Sequence, residues 1–229
     1  QTCALPIFVY IKEEIPDSKI VLTTNGSRLY KNVADDLVEN NPLDYLYISF
    51  QGVEKEGYEE TMRGSLKFEE TMENVLYLIS KLKESKAKNP FKVIITMVAT
   101  NKVDPIKAVN FWKEKGVKAK WTPLENRGGN IIDFDELKPK DSTSRRFVNC
   151  TRLFKQAYIL FNGDMVLCCT DYTRKVVLGN VEKTSIEEVW NNKKAQSLRR
   201  LFFEGKIDEI ALCRNCEIAD SFGEEEFEG

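Results

Sequence analysis

Short apolar runs and longer segments with helical spacing alternate through the first half of the chain. Four runs are rich in β-branched and aromatic residues and are bounded by turn residues, which is typical of buried strands. These runs are KIVLTTNG (19–26), LDYLYISFQG (43–52), FKVIITMVA (91–99) and VKAKWTPL (117–124). Strands separated by helices indicate a parallel sheet with right-handed crossovers, either a barrel or a doubly wound sheet.

Helices are predicted between these strands. One begins near Lys31 and closes in LVENNP (37–42), and another covers DPIKAVNFWKEKG (104–116), with proline at its start and glycine at its end. A longer helix is predicted from apolar residues at helical intervals, namely Phe68, Met72, Val75, Ile79 and Leu82. The first half is therefore of the α/β class.

The second half has a different pattern. Residues 135–146, DELKPKDSTSRR, are polar, charged and interrupted by proline, so we place a linker there. QAYILFNGDMVLCC (156–169) predicts a β-hairpin with an Asn-Gly turn, and Ser185 with Glu188 forms the capping box of a later helix. The end of the chain, 221–229, is acidic and predicted to be disordered.

Composition narrows the classes of function. The chain has 229 residues, 42% of them hydrophobic, and a formal net charge of −2 with mixed signs. This balance gives no field that would attract nucleic acid or an anionic membrane, so peptides and small molecules are the expected partners. Because no run of eighteen apolar residues and no secretion signal occurs, we expect a cytoplasmic protein. The absence of histidine excludes Ser-His hydrolases, Cys-His proteases and mixed Cys/His zinc sites.

Cysteine spacing carries the strongest chemical signal. Seventeen residues separate Cys150 from Cys168, forty-four more precede Cys213, and Cys213 with Cys216 forms a C-x-x-C. In a reducing compartment, cysteines are metal ligands or buried thiols more often than disulfides. Four thiolates suit either a tetrahedral zinc or an iron-sulfur cluster. Structural zinc sites usually have two short C-x-x-C pairs, so the presence of one such pair here slightly favours a cluster. Unrelated buried thiols are the remaining interpretation.

Residues 1–7, QTCALPI, resemble a translated sequencing adapter. We therefore exclude them from reasoning about the fold, and we expect the natural sequence to begin near Phe8, inside a helix. Cys3 is then not part of the natural protein, which leaves five cysteines.

The chain resembles the radical S-adenosylmethionine (SAM) enzymes that carry a C-terminal SPASM/twitch domain. In the second half, the resemblance lies in Cys150, Gly163, Cys168 and the motifs CCTDY, LGNV, SIEEVW and CRNC, in that order. In the first half, TTNG resembles the end of the third barrel strand, ISFQG with Arg63-Gly64 the fourth strand and its loop, and WTPLENRGG the sixth.

This resemblance implies a partial parallel (β/α) barrel lacking its first strands over 8–134, a linker over 135–146, and a small α+β SPASM/twitch domain over 147–220. It implies that Cys150, Cys168, Cys213 and Cys216 bind one auxiliary 4Fe-4S cluster. Cys168 occupies the ligand position of the family's Gly-x-x-x-x-Cys motif, and Cys169, its neighbour on a strand, is expected to face the other way. The reverse assignment stays open.

The family's CxxxCxxC loop, which binds the SAM-cleaving cluster, does not occur in this sequence. We expect that loop upstream, in a full-length protein with SAM and a second 4Fe-4S cluster, and we expect this fragment to be inactive alone. The resemblance also implies the residues that contact SAM or substrate: Thr24, Asn25, Ser49, Arg63, Pro123 and Leu124. The alternative is a non-catalytic binding module with a structural zinc site of four cysteine ligands. Trp121 and Trp190 are expected to be core residues.

Overall fold

A computed structural model describes residues 5–62, 64, 66–140, 142–146 and 150–219 of the chain. The chain divides into two compact units, residues 1–122 and 123–229. No helix in the described ranges is both long enough and apolar enough to cross a membrane.

The first unit alternates helices with strands. Its elements, in chain order, are α1 (Leu5–Glu14), β1 (Val21–Thr24), α2 (Lys31–Asn40), β2 (Tyr45–Ser49), α3 (Lys55–Met62), α4 (Phe68–Glu84), β3 (Lys92–Val98), α5 (Pro105–Glu114) and β4 (Lys118–Thr122). The four strands form one parallel sheet in the order β1-β2-β3-β4. The predicted strands, helices and α/β class are confirmed.

Local sequence sets the limits of these elements. The Asp104 side chain accepts a hydrogen bond from the Lys107 N–H at 2.9 Å, and Pro105 follows as the first residue of α5. Gly116 ends that segment with a φ of 75°, which a side chain would disfavour. Helix α1 begins at Leu5, inside the segment 1–7 that resembles a translated sequencing adapter.

One face of the sheet forms the core of this unit. Leu46, Ile48 and Ile95 alternate along β2 and β3 and are fully buried. They belong to one apolar cluster with Val75 of α4 and Trp112 of α5, where the helices cover this face. Trp121 packs against the same cluster as a partly buried residue.

The second unit is built from short elements. In chain order they are α6 (Phe134–Leu137), β5 (Ser144–Arg146), α7 (Arg152–Lys155), β6 (Tyr158–Ile159), β7 (Asp164–Val166), β8 (Val177–Asn180), α8 (Ile186–Asn191), α9 (Lys193–Phe203), a 3-10 turn (Ile207–Glu209), α10 (Ala211–Arg214) and β9 (Glu217–Ala219). Strands β6, β7 and β8 form an antiparallel sheet, and β5 pairs antiparallel with β9. The hairpin and the Ser185–Glu188 capping box are as predicted.

The second unit begins before the predicted linker. The Ala219 N–H donates to the Leu124 carbonyl at 2.8 Å, and the Asn126 N–H donates to the Glu217 carbonyl at 2.9 Å. These bonds join the segment after β4 to β9, near the end of the described chain. Residues 135–146 therefore lie inside this unit, with α6 and β5 at their two ends. The predicted tail, 221–229, lies outside the described residues.

Candidate metal centre

Four cysteines of the second unit line one cavity of about 30 Å³. They are Cys150, Cys168, Cys213 and Cys216. The rest of the lining is mostly apolar, and its other members are Arg152, Leu153, Leu167, Thr170, Phe202 and Leu212. Folding therefore gathers the cysteines that the sequence spacing singles out.

Helix α10 and strand β9 place the C-x-x-C pair. Ile210 and Leu212, each 1% exposed, anchor the start of α10 in the apolar core of the unit. The Cys213 N–H donates to the Ile210 carbonyl at 2.9 Å, and the Cys216 N–H donates to the Cys213 carbonyl at 3.2 Å. This turn directs two cysteines, separated by two residues, toward the same cavity.

The other two cysteines come from either side of the hairpin. Cys150 lies two residues before α7, whose Leu153 is buried in the same core. Cys168 lies two residues after β7. The N–H of its neighbour Leu167 donates to the Val176 carbonyl at 3.1 Å, which holds this part of the chain beside the start of β8.

Cys168 and Cys169 lie in different surroundings. Cys168 lines the cavity, with its Sγ 3.0 Å from the Thr170 hydroxyl, whereas Cys169 is exposed and is not part of the lining. Strand β7 ends at Val166, so strand alternation does not separate the two side chains. A turn does so, in which the Asp171 N–H donates to the Cys168 carbonyl at 3.0 Å.

Burial disfavours the charged form of three cavity thiols, those of Cys168, Cys213 and Cys216. It raises the pKa of Cys213 to about 12, with the nearby Cys168 thiol adding to the effect. Burial also raises the pKa of Cys216 to about 11, together with the Glu125 carboxylate, while the Gly128 N–H acts in the opposite direction. The pKa of Cys168 is raised by burial, against the Thr170 hydrogen bond. At neutral pH these thiols hold their protons until a metal ion displaces them.

An ion pair borders the cavity. The Arg152 guanidinium donates to both carboxylate oxygens of Glu125, at 3.1 and 2.6 Å, and the two side chains are 24% and 17% exposed. This bidentate contact raises the pKa of Arg152, which keeps a permanent positive charge in the wall of the cavity. Sequence reasoning missed this pair, because nothing in the local pattern links residues 27 positions apart.

The donor set fits a sulfur-ligated metal. Four thiols around one cavity suit zinc or an iron-sulfur cluster, both of which take four cysteine ligands. In the described part of the chain, no three cysteine or carboxylate side chains are already close enough together to hold an ion. A volume of about 30 Å³ is room for about two water molecules. Binding of a cluster therefore requires the lining side chains to move apart and the thiols to turn toward one centre.

Three further predicted site residues, Thr24, Asn25 and Ser49, lie at or just after the ends of strands. Thr24 is the last residue of β1, and its buried hydroxyl accepts from the Gly26 N–H at 3.2 Å. Asn25 is exposed and caps the following turn by accepting from the Ser27 N–H at 3.1 Å. Ser49 is the last residue of β2 and is half-buried. Arg63 lies outside the described residues.

Pro123 and Leu124 belong to the second unit. Pro123 is half-buried and Leu124 is 6% exposed, with its carbonyl bonded to β9. Trp190, also in this unit, packs against the apolar core as a partly buried residue.

Comparison with known families identifies two domains. Residues 5–111 match the family model of the radical SAM superfamily, and residues 150–217 match that of SPASM, an iron-sulfur cluster-binding domain. A curated relative, the S-adenosyl-L-methionine-dependent 2-deoxy-scyllo-inosamine dehydrogenase of Niallia circulans, is 28% identical over 105 residues. That match covers 46% of this chain and 40% of the relative, so the chain spans less than half of it.

Two solved structures are similar to this chain to different degrees. Native anSMEcpe with bound AdoMet and a peptide superposes with a TM-score of 0.55 at 16% identity, covering 93% of this chain and 71% of that one. BtrN in complex with AdoMet and 2-DOIA is 17% identical, with a TM-score of 0.39, and the match covers 87% of this chain and 93% of that one. The match to anSMEcpe shows a shared fold, and the two family matches identify it as that of radical SAM enzymes with a SPASM region.

Proposed function

The chain combines a radical SAM domain with a SPASM iron-sulfur cluster-binding domain, and we propose that it is part of an enzyme that modifies or oxidises a peptide or small molecule by radical chemistry. In this proposal, Cys150, Cys168, Cys213 and Cys216 hold one auxiliary 4Fe-4S cluster. The observation that carries it is the arrangement of these four thiols around a single cavity.

The surroundings of the thiols define what the protein contributes. A bound cluster supplies one-electron redox chemistry, with a potential that depends on burial and on hydrogen bonds to its sulfurs. The apolar side chains of the lining, with Leu153, Leu167 and Phe202, lower the polarity around the thiols. The Arg152 guanidinium places a positive charge beside the thiolates, and Glu125 fixes its orientation.

We also propose the residues that contact SAM. Thr24, Asn25 and Ser49 lie at or just beyond the carboxyl ends of β1 and β2, the edge at which parallel α/β sheets bind ligands. By resemblance, Ser49 and Arg63 contact the amino acid end of SAM, and the backbone of Pro123 and Leu124 lies against its adenine. Asn25 and Thr24 face cofactor or substrate.

The proposed substrate class is supported by two similar proteins that are associated with different molecules. The curated relative is named for an inosamine, and anSMEcpe is solved with a peptide. Because the chain spans 40% of that relative, we propose only the shared class, a peptide or a small molecule.

Anaerobic reconstitution tests the auxiliary cluster. The purified chain is incubated with iron and sulfide, desalted, and analysed for iron, acid-labile sulfide and zinc. We expect about four irons and four sulfides per chain, with visible absorption from thiolate-to-iron charge transfer. The variant that carries Cys213→Ser and Cys216→Ser is the matched control and should bind little of either.

The same analysis decides the second candidate, a structural zinc site. The small volume of the cavity favours this candidate, because a single ion requires less movement of the lining than a cluster does. Zinc at about one per chain without labile sulfide would overturn the cluster proposal.

A further inference from the structure

The segment Leu124–Gly129 runs beside the C-x-x-C pair, although about ninety residues separate the two in sequence. The Asn126 side chain is 7% exposed and sits between this segment and the turn that carries Cys213 and Cys216. Its Nδ2 donates to the Asn215 carbonyl at 2.7 Å, inside the C-x-x-C turn. Its Oδ1 accepts, at 2.9 Å, from the N–H of Glu217, which is the residue directly after Cys216.

Asn126 also shapes its own loop. The Oδ1 atom accepts from the Gly128 N–H at 3.1 Å and the Gly129 N–H at 3.3 Å. Gly128 has a φ of 66°, and a Cβ there would lie 2.7 Å from Leu212 Cδ1 and 3.0 Å from the Leu212 carbonyl oxygen. The loop therefore requires glycine for close contact with α10, the helix that holds Cys213.

The Asn126 side chain therefore joins this loop to the turn that carries two cavity thiols. Side chains that hydrogen-bond around metal ligands fix the orientation of those ligands. A loop fixed by Asn126 thus places the backbone of the C-x-x-C turn.

We propose that Asn126 is the positioning residue of the metal centre: one buried amide holds the Cys213–Cys216 turn against the loop Leu124–Gly129. This inference rests on the proposed metal centre for its functional meaning. The geometry that carries it is the set of four hydrogen bonds of one side chain, which spans two segments of the same unit.

Two substitutions separate the hydrogen bonds that the Asn126 side chain accepts from the one that it donates. Asn126→Ala removes both kinds. Asn126→Asp keeps an oxygen that accepts from the Gly128, Gly129 and Glu217 N–H groups, but it replaces the donor to the Asn215 carbonyl with a second acceptor. The matched control is Asn192→Ala. Asn192 accepts from the Ala195 N–H at 2.9 Å and donates to the Leu178 carbonyl at 2.9 Å, so its loss weakens the same unit on α9 and β8.

The first readout uses metal-free protein. Amide hydrogen exchange at Gly128, Gly129 and Glu217 should be at least about tenfold faster in Asn126→Ala than in wild type, because these N–H groups lose their acceptor. Asn126→Asp should keep most of this protection. If Asn192→Ala accelerates the same amides as much as Asn126→Ala does, the effect is general destabilisation and the inference fails.

The second readout uses reconstituted protein. Loss of metal to an excess of chelator should be about 10- to 100-fold faster in Asn126→Ala, the range found for residues that orient metal ligands. Asn126→Asp should fall between Asn126→Ala and wild type, and Asn192→Ala should match wild type.

These outcomes separate the inference from the proposed function. If the wild-type chain binds no metal, the proposed metal centre is wrong. The exchange measurement would still report whether Asn126 holds the turn. A wild-type chain that loads normally, together with an Asn126→Ala variant that retains metal like Asn192→Ala, overturns the positioning role alone.

Discussion

At the scale of single residues, Cys168 and Cys169 share a chemistry but differ in surroundings. Cys168 contacts Thr170 and lines the cavity, while Cys169 is exposed near Tyr158. We expect Cys168→Ser to lose most of the iron and sulfide bound on reconstitution, because it removes one of four sulfur ligands. Cys169→Ser should bind as much as wild type, as measured by iron and sulfide analysis.

The reverse pattern would assign the ligand to Cys169. It would mean that the turn after β7 rearranges when metal binds, since Cys169 does not line the cavity in this structure. Equal loss in both variants would indicate that the pair acts through folding, and circular dichroism of both metal-free variants distinguishes that case.

At the scale of elements, the β6–β7 hairpin determines where Cys168 lies. Gly163 forms its turn with a φ of 79°, and a Cβ there would lie 2.8 Å from Glu182 Cγ and 3.0 Å from Asn180 Oδ1. A left-handed backbone conformation costs a residue with a side chain ~1–2 kcal/mol. We expect Gly163→Ala to lower the free energy of unfolding by more than this, because steric overlap adds to the backbone strain. Urea unfolding measures this change, and metal binding should weaken with it.

Gly205→Ala is the matched control for this prediction. Gly205 has a similar φ of 72°, but a Cβ there would meet no atom within 4 Å among the described residues. Gly205→Ala should lower the free energy of unfolding only by the ~1–2 kcal/mol of backbone strain, and it should leave metal binding unchanged. Equal costs for the two variants would show that the contacts with Asn180 and Glu182 relax freely.

Asp164 makes the same hairpin sensitive to acid. Its carboxylate accepts from the Asn180 Nδ2 at 2.9 Å and the Asn162 Nδ2 at 2.7 Å, and these contacts lower the pKa of Asp164. A carboxyl group with a lowered folded-state pKa adds stability above its unfolded value of about 3.9, and this stability is lost as the pH falls through and below that value. The hairpin should therefore loosen in acid.

The measurement compares wild type with Asp164→Asn. Amide exchange of the β7 and β8 strands between pH 6 and pH 3, corrected for intrinsic rates, should show greater protection in wild type at the upper end. That difference should shrink toward pH 3. A difference that stays constant with pH would mean that the charge of Asp164 does not contribute to the stability of the hairpin.

Elements with a strong local signal were predictable from the sequence. The four parallel strands follow from apolar runs, and the hairpin follows from Asn162-Gly163 between two such runs. The place of Leu124–Gly129 was not predictable in this way. Its hydrogen-bond partners in the C-x-x-C turn and on β9 lie about ninety residues away, and short-range periodicity carries no information on such pairing. For the same reason, the spacing of the cysteines indicated a shared site but did not reveal Asn126, Glu125 or Arg152 beside it.

At the scale of the whole molecule, the edge of the parallel sheet affects how the chain behaves in solution. Strand β1 pairs only with β2 among the described strands, so its other edge presents backbone N–H and carbonyl groups without a strand partner there. Such an edge is a template for pairing with a second chain. Val21, in this strand, is 48% exposed, which adds an apolar side chain to the same surface.

We therefore expect Val21→Lys to reduce self-association of the chain, because a charged side chain on an edge strand opposes the approach of another strand. Ile106→Lys is the matched control: Ile106 is 64% exposed but lies on helix α5, so the change in charge and hydropathy is the same away from the edge. Light scattering over a concentration series measures the effect. Equal reduction in both variants would assign the self-association to general surface hydropathy. If Val21→Lys alone is effective, pairing along β1 is the cause of the self-association.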